Sequence, residues 1–304
     1  MSYHLDVIRR LRITSLAISV AMFSTGCPAP ERGAAPIGTP TPTTHAAPAL
    51  HVPPRRSGSA TGSAFAAKAA RLTPAERERA ISEEILAGNL PSFERRLVPV
   101  ELTAAGDGGR VVRGRVFVVP DYLAIGDDED FVRVPITIRT ARRIAKELDC
   151  VLPTTKLVDA IQNAAKVKLA SPVMNPGDRM GSMQYFVVHN RVIEEHRAEQ
   201  GAALGALVSG PKKDLVLTKR MLETPGRTPI YGWFGRGTEP VQPLSLVHDD
   251  RHVDYAHGVR LVAQTMEIEG RSAQILDVLA DRALAPIVSD EGACDLRTAW
   301  NRGW

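Results

Sequence analysis

Apolar residues recur in two rhythms along this chain, one of three to four residues and one of two. After Thr73-Pro74-Ala75-Glu76, apolar Ile81, Ile85 and Leu86 fall on one helical face. A capping Thr, a Pro at the first helical position and an acidic first turn predict a helix to Leu86, stopped by Gly88-Asn89. Leu97 to Leu102 and Val111 to Val119 read as strands joined by a turn at Gly106-Asp107-Gly108-Gly109. Tyr122 to Ile125 and Phe131 to Ile136 repeat that pattern around the acidic run Gly126-Asp127-Asp128-Glu129-Asp130. Helical spacing returns at Thr140 to Leu148, and again from Pro153-Thr154-Thr155 to about Leu169. A Pro-, Gly- and Met-rich loop spans Ser171 to Ser182, before a short strand at Met183 to Val188 and a polar helix from Asn190 to Glu199.

The C-terminal third changes rhythm. Strands are expected at Leu215 to Leu217, Pro229 to Phe234, Val241 to Val247, Tyr255 to Ala263 and Thr265 to Glu269, separated by glycine turns. Ser272 then caps a final helix with Ile275, Val278 and Leu279 facing inward. The order predicts an α+β domain, mostly antiparallel sheet with helices grouped in the middle of the chain.

The first 69 residues follow neither rhythm. Arg9, Arg10 and Arg12 precede an uncharged run from Ile13 to Phe23, and Ser24-Thr25-Gly26 leads to Cys27. The run is too short to span a bilayer, which takes about 20 residues, and has the form of an export signal. It resembles the bacterial lipoprotein signal, with Ser24 where that family usually carries Leu. The resemblance implies a signal peptide over 1–26 and lipidation of Cys27 as the first mature residue. Pro28 stands where some diderm bacteria use Asp to retain lipoproteins at the inner membrane, so the outer membrane is favoured. Residues 27–69 are rich in Pro, Ala and Thr and are expected to form a disordered linker, because such composition buries too little apolar surface to offset chain entropy. That leaves 70–304 as one globular domain, tethered by lipid within the cell envelope.

Composition narrows the partners. Arg, Lys, Asp and Glu nearly balance at +4, three of the basic residues lie in the leader, and nucleic acid is not an expected ligand. Aromatic residues are 5% of the chain, too few for a sugar-binding module lined with rings. Cys150 and Cys294 form an even pair in an oxidising compartment and are expected to form a disulfide. The acidic run at 126–130 lacks the spacing of a calcium loop and reads as a solvated turn.

Candidate chemistry concentrates at His248-Asp249-Asp250-Arg251-His252-Val253-Asp254-Tyr255-Ala256-His257-Gly258-Val259-Arg260. Titratable groups gathered at strand ends are where active sites are built. His257 or His248 is the expected general base, oriented by Asp254, since imidazole titrates near neutral pH. Arg260 and Lys213 are expected to hold a carboxylate or oxyanion, with Asp214 pairing with one of them. Gly258 would let a backbone or ligand approach. His248, His252 and His257, with Asp250 and Asp254, also offer a ligand set, but strand-like flanks do not put the first two rings on one helical face. No metal or cofactor is therefore assigned. Around His257-Gly258 and Arg260-Leu261 the chain is similar to the Ser-His-Gly-Cys-x-Arg signature of L,D-transpeptidases. Val259 replaces the cysteine, so that family's thiol chemistry does not carry over. The lead expectation is an enzyme, a hydrolase or transferase acting on cell-wall material. The alternative is a non-catalytic binding or assembly lipoprotein of the envelope.

Overall fold

The computed structural model describes residues 48–170 and 172–303. The signal, Cys27 and the linker as far as 47 lie outside the described residues. In chain order the elements are α1 (Gly62–Ala69), α2 (Pro74–Leu86), β1 (Val98–Ala105), β2 (Val111–Val118), β3 (Ala124–Gly126) and β4 (Phe131–Arg133). Then follow α3 (Ile138–Glu147), β5 (Cys150–Val151), α4 (Thr155–Ala164), β6 (Val167–Lys168), α5 (Met183–Glu199), β7 (Val208–Ser209) and β8 (Lys213–Leu215). The chain ends with α6 (Arg220–Glu223), β9 (Arg227–Gly232), β10 (Gln242–Asp249), β11 (His257–Gly258), β12 (Val262–Ala263), β13 (Thr265–Ile268), β14 (Arg271–Gln274), α7 (Ile275–Ala280) and α8 (Arg297–Arg302). The fold is α+β, with mostly antiparallel sheets.

Strand β2 organises the larger sheet. One edge pairs with β1 in a hairpin from Val98↔Val118 to Ala105↔Val111. Its other edge takes β12 at Val118 and β13 at Gly114 and Arg115, so two consecutive short strands share one long partner. The order is β14-β13-β2-β12-β5. A second sheet, β10-β9-β8-β11, carries the candidate site, and its β11 runs parallel to β8. One main core packs Val116, Val118, Ile144, Leu157, Leu261 and Ile275 from both halves of the chain.

Local sequence explains most helix starts. Thr73 and Glu76 form a capping box, in which the Thr73 hydroxyl accepts from the Glu76 amide and the Glu76 carboxylate accepts from the Thr73 amide. Such caps contribute about 1 kcal/mol each. The acidic run is the turn of the β3–β4 hairpin, and its carboxylates hold neighbouring segments. Asp130 accepts from the Ser63 amide and hydroxyl at the start of α1, and Asp128 accepts from the Ser92 amide.

Four expectations are corrected. The domain begins by residue 48 rather than 70, because Leu50 and Phe65 are buried in the main core and α1 packs beside β3 and β4. Averaged composition conceals those two anchors. Met183 to Glu199 is one helix, with Met183, Phe186, His189, Asn190 and Ile193 on its buried face. Tyr255 to Ala263 is not one strand: β11 belongs to the smaller sheet and β12 to the larger. Cys150 and Cys294 are separate buried thiols, not a disulfide. Cys150 sits in β5 with its Sγ donating to the Leu148 carbonyl, and Cys294 donates its amide to Leu279 beyond α7.

Candidate functional site

The β8–β11 pair sorts the candidate residues onto two faces. His257 is registered opposite Lys213, and Gly258 opposite Asp214. Successive strand residues point to opposite faces, so the two pairs serve two different environments.

On the His257 face a tight turn does the assembling. The His257 amide donates to the Asp254 carbonyl at 2.9 Å, and the Ala256 amide to the Asp254 carboxylate at 3.0 Å. The turn folds Asp254 back beside His257, whereas a continuous strand would have put the two on opposite faces. His252, Asp254 and His257 each offer a ligand atom within 4.8 Å of the others. His248, at the end of β10, stacks on His252 with ring centroids 3.9 Å apart and planes 8° from parallel. The His252 and His257 centroids are 5.5 Å apart. Lys213 closes the group, its Nζ 3.7 Å from Asp254 Oδ2 and 4.8 Å from the centre of the Trp233 ring.

Trp233 reaches this place through backbone strain. It follows β9 with a φ of 57°, a conformation rare outside glycine, while its amide donates to the Lys212 carbonyl. Its buried Nε1 has no hydrogen-bond partner. Neither ring nitrogen of His257 has one, although the residue is only 1% exposed. Burial holds the His257 imidazole well below its usual pKa, and His252, Lys213, His248 and Lys212 push the same way. His248 is half-buried and is lowered for the same leading reason, with His252 and Lys213 adding to it. Both rings are therefore neutral at pH 7, with lone pairs free to take a proton or a cation.

Beneath the cluster lies a buried lysine. Lys212 Nζ donates to the Tyr255 carbonyl at 2.7 Å, which fixes the turn from below. Burial pushes this amine down to about 7, Arg133 adds to the effect, and Asp254 and Asp121 oppose it. His189 of α5 packs its ring 5.0 Å from that of Tyr255, fully buried and unpartnered at both nitrogens.

The other face holds Asp214 and Arg260, and it is structural. Arg260 is completely buried and donates to the carbonyls of Val119 at 3.0 Å and Val208 at 2.7 Å. Its guanidinium lies 4.3 Å from the centre of the Tyr122 ring. The Tyr122 hydroxyl donates to Asp214 at 2.9 Å. Burial pushes the Asp214 carboxyl up to about 7, against the pull of Arg260 and of the Tyr122 hydroxyl. Gly258 opens no path for a ligand: a Cβ there would lie 2.4 Å from Tyr122 Cδ1. Neither Arg260 nor Asp214 reaches the histidine cluster, so both leave the candidate set. Asp250 leaves the candidate ligands, because it is buried in an ion pair with Arg139.

The structure thus brings together His248, Asp254, His257 and Lys213, adds His252 as an equal member, and supplies Trp233, which no sequence pattern marks. No family model, curated protein or solved structure matches the chain. Among the described residues, no helix is long and apolar enough to cross a membrane.

Proposed function

We propose that this is a lipid-anchored envelope hydrolase that cleaves an amide or ester of cell-wall material at the histidine cluster. The observation that supports it most is His257: an imidazole fully buried, neutral and unpartnered, beside a carboxylate, a lysine and two more imidazoles. An unsatisfied buried polar group costs about 1–3 kcal/mol, and His257 differs from the equally unpartnered His189 in standing among Asp254, His252, His248 and Lys213. Such unrewarded costs collect at functional sites.

The half-buried His248 and His252 form the open side of the cluster. Either offers an imidazole nitrogen that can take the proton of an attacking water. Lys213 stands where negative charge on a carbonyl oxygen would be stabilised. The overall step is balanced: water adds to the carbonyl carbon, the bond to the leaving nitrogen or oxygen breaks, and a water proton ends on the leaving group. The envelope setting rests on the signal-like leader ending at Cys27.

The test is release of soluble fragments from purified peptidoglycan, read by mass spectrometry. Wild-type protein is expected to release them, and Lys213→Met and His248→Asn are expected to lose most of that activity while melting as the parent does. The anchor is tested separately: Cys27→Ser is expected to leave the membrane fraction and to stop incorporating fatty acid. The alternative, a binding lipoprotein, has one feature in its favour. Between α1 and α5 lies an apolar groove of about 380 Å³ rimmed by Ala66, Ala70, Val187 and Val188. Peptidoglycan left intact by the folded protein would leave that reading standing.

A further inference from the structure

A general base must touch substrate, and His257 is poorly placed to do so. It is 1% exposed and has His248 and His252 as ring neighbours at 6.4 and 5.5 Å. A ligand to an ion has no such requirement. It needs a neutral imidazole, a lone pair and convergent partners.

From this we infer that His252, Asp254 and His257 bind one divalent d-block cation, zinc above all, within the site proposed above. Three observations converge on it. The three ligand atoms lie within 4.8 Å of one another. In tetrahedral zinc sites, with metal–ligand bonds of about 2.0–2.2 Å, ligand atoms are about 3.3 Å apart, so side-chain adjustments of up to about 1.5 Å complete the set. Both nitrogens of the buried His257 are unpartnered, so ligation gives up no existing hydrogen bond. The donor set, two imidazoles and one carboxylate, suits zinc with a fourth position open to water.

Lys213 has a definite part in this arrangement. Its ammonium already balances Asp254 from 3.7 Å and rests against the Trp233 ring. A dication and an ammonium compete for one carboxylate, so Lys213 weakens the metal and must draw back toward the indole when it binds. The bound cation would supply what His257 cannot reach out to provide, a water made more acidic at the open side of the cluster.

This rests on the hydrolase reading of the same site, and the two are separated by what is measured. The folded protein is stripped with a chelator, and zinc, cobalt(II), iron(II) and manganese(II) are each titrated by calorimetry and by competition with a chromophoric chelator. One zinc per chain is expected, and cobalt(II) is expected to give visible d–d bands with no thiolate charge-transfer band. Asp254→Asn and His257→Gln are each expected to weaken zinc at least about 100-fold. His252→Gln, at a half-buried position that folding tolerates better, is expected to do the same. Lys213→Met is expected to bind zinc more tightly, and His196→Gln, on α5, to bind as the parent does. Circular dichroism confirms that each variant is folded. Absence of stoichiometric binding by every cation, or binding undiminished in His252→Gln and His257→Gln, overturns the inference. If no cation binds and the stripped protein cleaves peptidoglycan at the full rate, the metal fails and the hydrolase stands. If zinc binds as described and peptidoglycan stays intact, the metal stands and the hydrolase fails.

Discussion

Replacing Gly258 by Ala tests how the site sheet is seated on the rest of the fold. The added methyl would meet Tyr122 Cδ1 at 2.4 Å, Lys212 Cβ at 2.7 Å and Tyr122 Cε1 at 2.7 Å. None of these is the free end of a flexible chain. The ring is held by the Tyr122 hydroxyl on Asp214 and by the Arg260 guanidinium over its face. Overpacking of this kind costs about 1–3 kcal/mol. Displacing the ring breaks a buried hydrogen bond to a carboxyl, which adds about 1–3 kcal/mol. Relief of glycine's conformational entropy returns roughly 0.5–1 kcal/mol. The net expectation is a loss of about 1–5 kcal/mol, read by equilibrium urea unfolding followed through tryptophan fluorescence. A double-mutant cycle isolates the cause. In a Tyr122→Leu background the cost of Gly258→Ala should fall by at least half, with the Lys212 contact remaining. In a Tyr122→Phe background, which keeps the ring, it should not fall below the part due to overpacking. A cost under about 0.5 kcal/mol in the parent, or an equal cost with and without the ring, would show that Gly258 is not needed for the close approach of Tyr122.

Two further outcomes follow from the buried groups. The Asp214 carboxyl, near 3.8 when unfolded and about 7 in the fold, binds a proton in the folded state that the unfolded chain has lost. Its contribution to stability therefore falls as pH rises from about 4 through 7, by up to about 4 kcal/mol at 1.36 kcal/mol per unit. Asp214→Asn should remove that loss and gain stability on the parent between pH 4.5 and 8 while cleaving peptidoglycan normally; equal pH profiles in urea unfolding would contradict this. Burial pushes the Cys150 thiol up to about 12 and raises that of Cys294, so both should resist alkylation in the native protein and both should alkylate after unfolding without reductant. A mass gain of the unfolded protein that appears only after reduction would restore the disulfide.

What the sequence made legible was what is decided locally. The Thr73–Glu76 box, the β1–β2 hairpin at its glycine turn and the hairpin around the acidic run all depend on neighbours a few residues apart. Helix α5 was hidden because its buried stripe passes through His189 and Asn190, polar residues where the helical pattern needs apolar ones. Asn190 is there to serve Arg133, accepting from its amide and its guanidinium, a partner 57 residues away. Residues 254–261 failed for a related reason. Alternation predicts one strand, yet Arg260 is drawn out of the pattern to satisfy the Val119 and Val208 carbonyls, and the chain crosses from one sheet to the other. The clustering of titratable residues at 248–260 was enough to find the site. It was not enough to separate His257, Asp254 and Lys213 from Arg260 and Asp214, because that division depends on which face of β8 and β11 each residue takes. Trp233 carries no signal in sequence, since its place comes from one left-handed residue after β9.

The histidine cluster is proposed as a functional centre that the fold maintains at a cost. The most direct measurement is the stability and peptidoglycan-releasing activity of one purified variant, His257→Leu, side by side with metal-free parent. Leucine removes two unpartnered buried nitrogens, so unchanged or increased resistance to urea is expected together with loss of release. A variant destabilised by several kcal/mol, whose folded fraction still releases fragments at the parental rate, would show that His257 serves packing alone and that the cluster is not a functional centre.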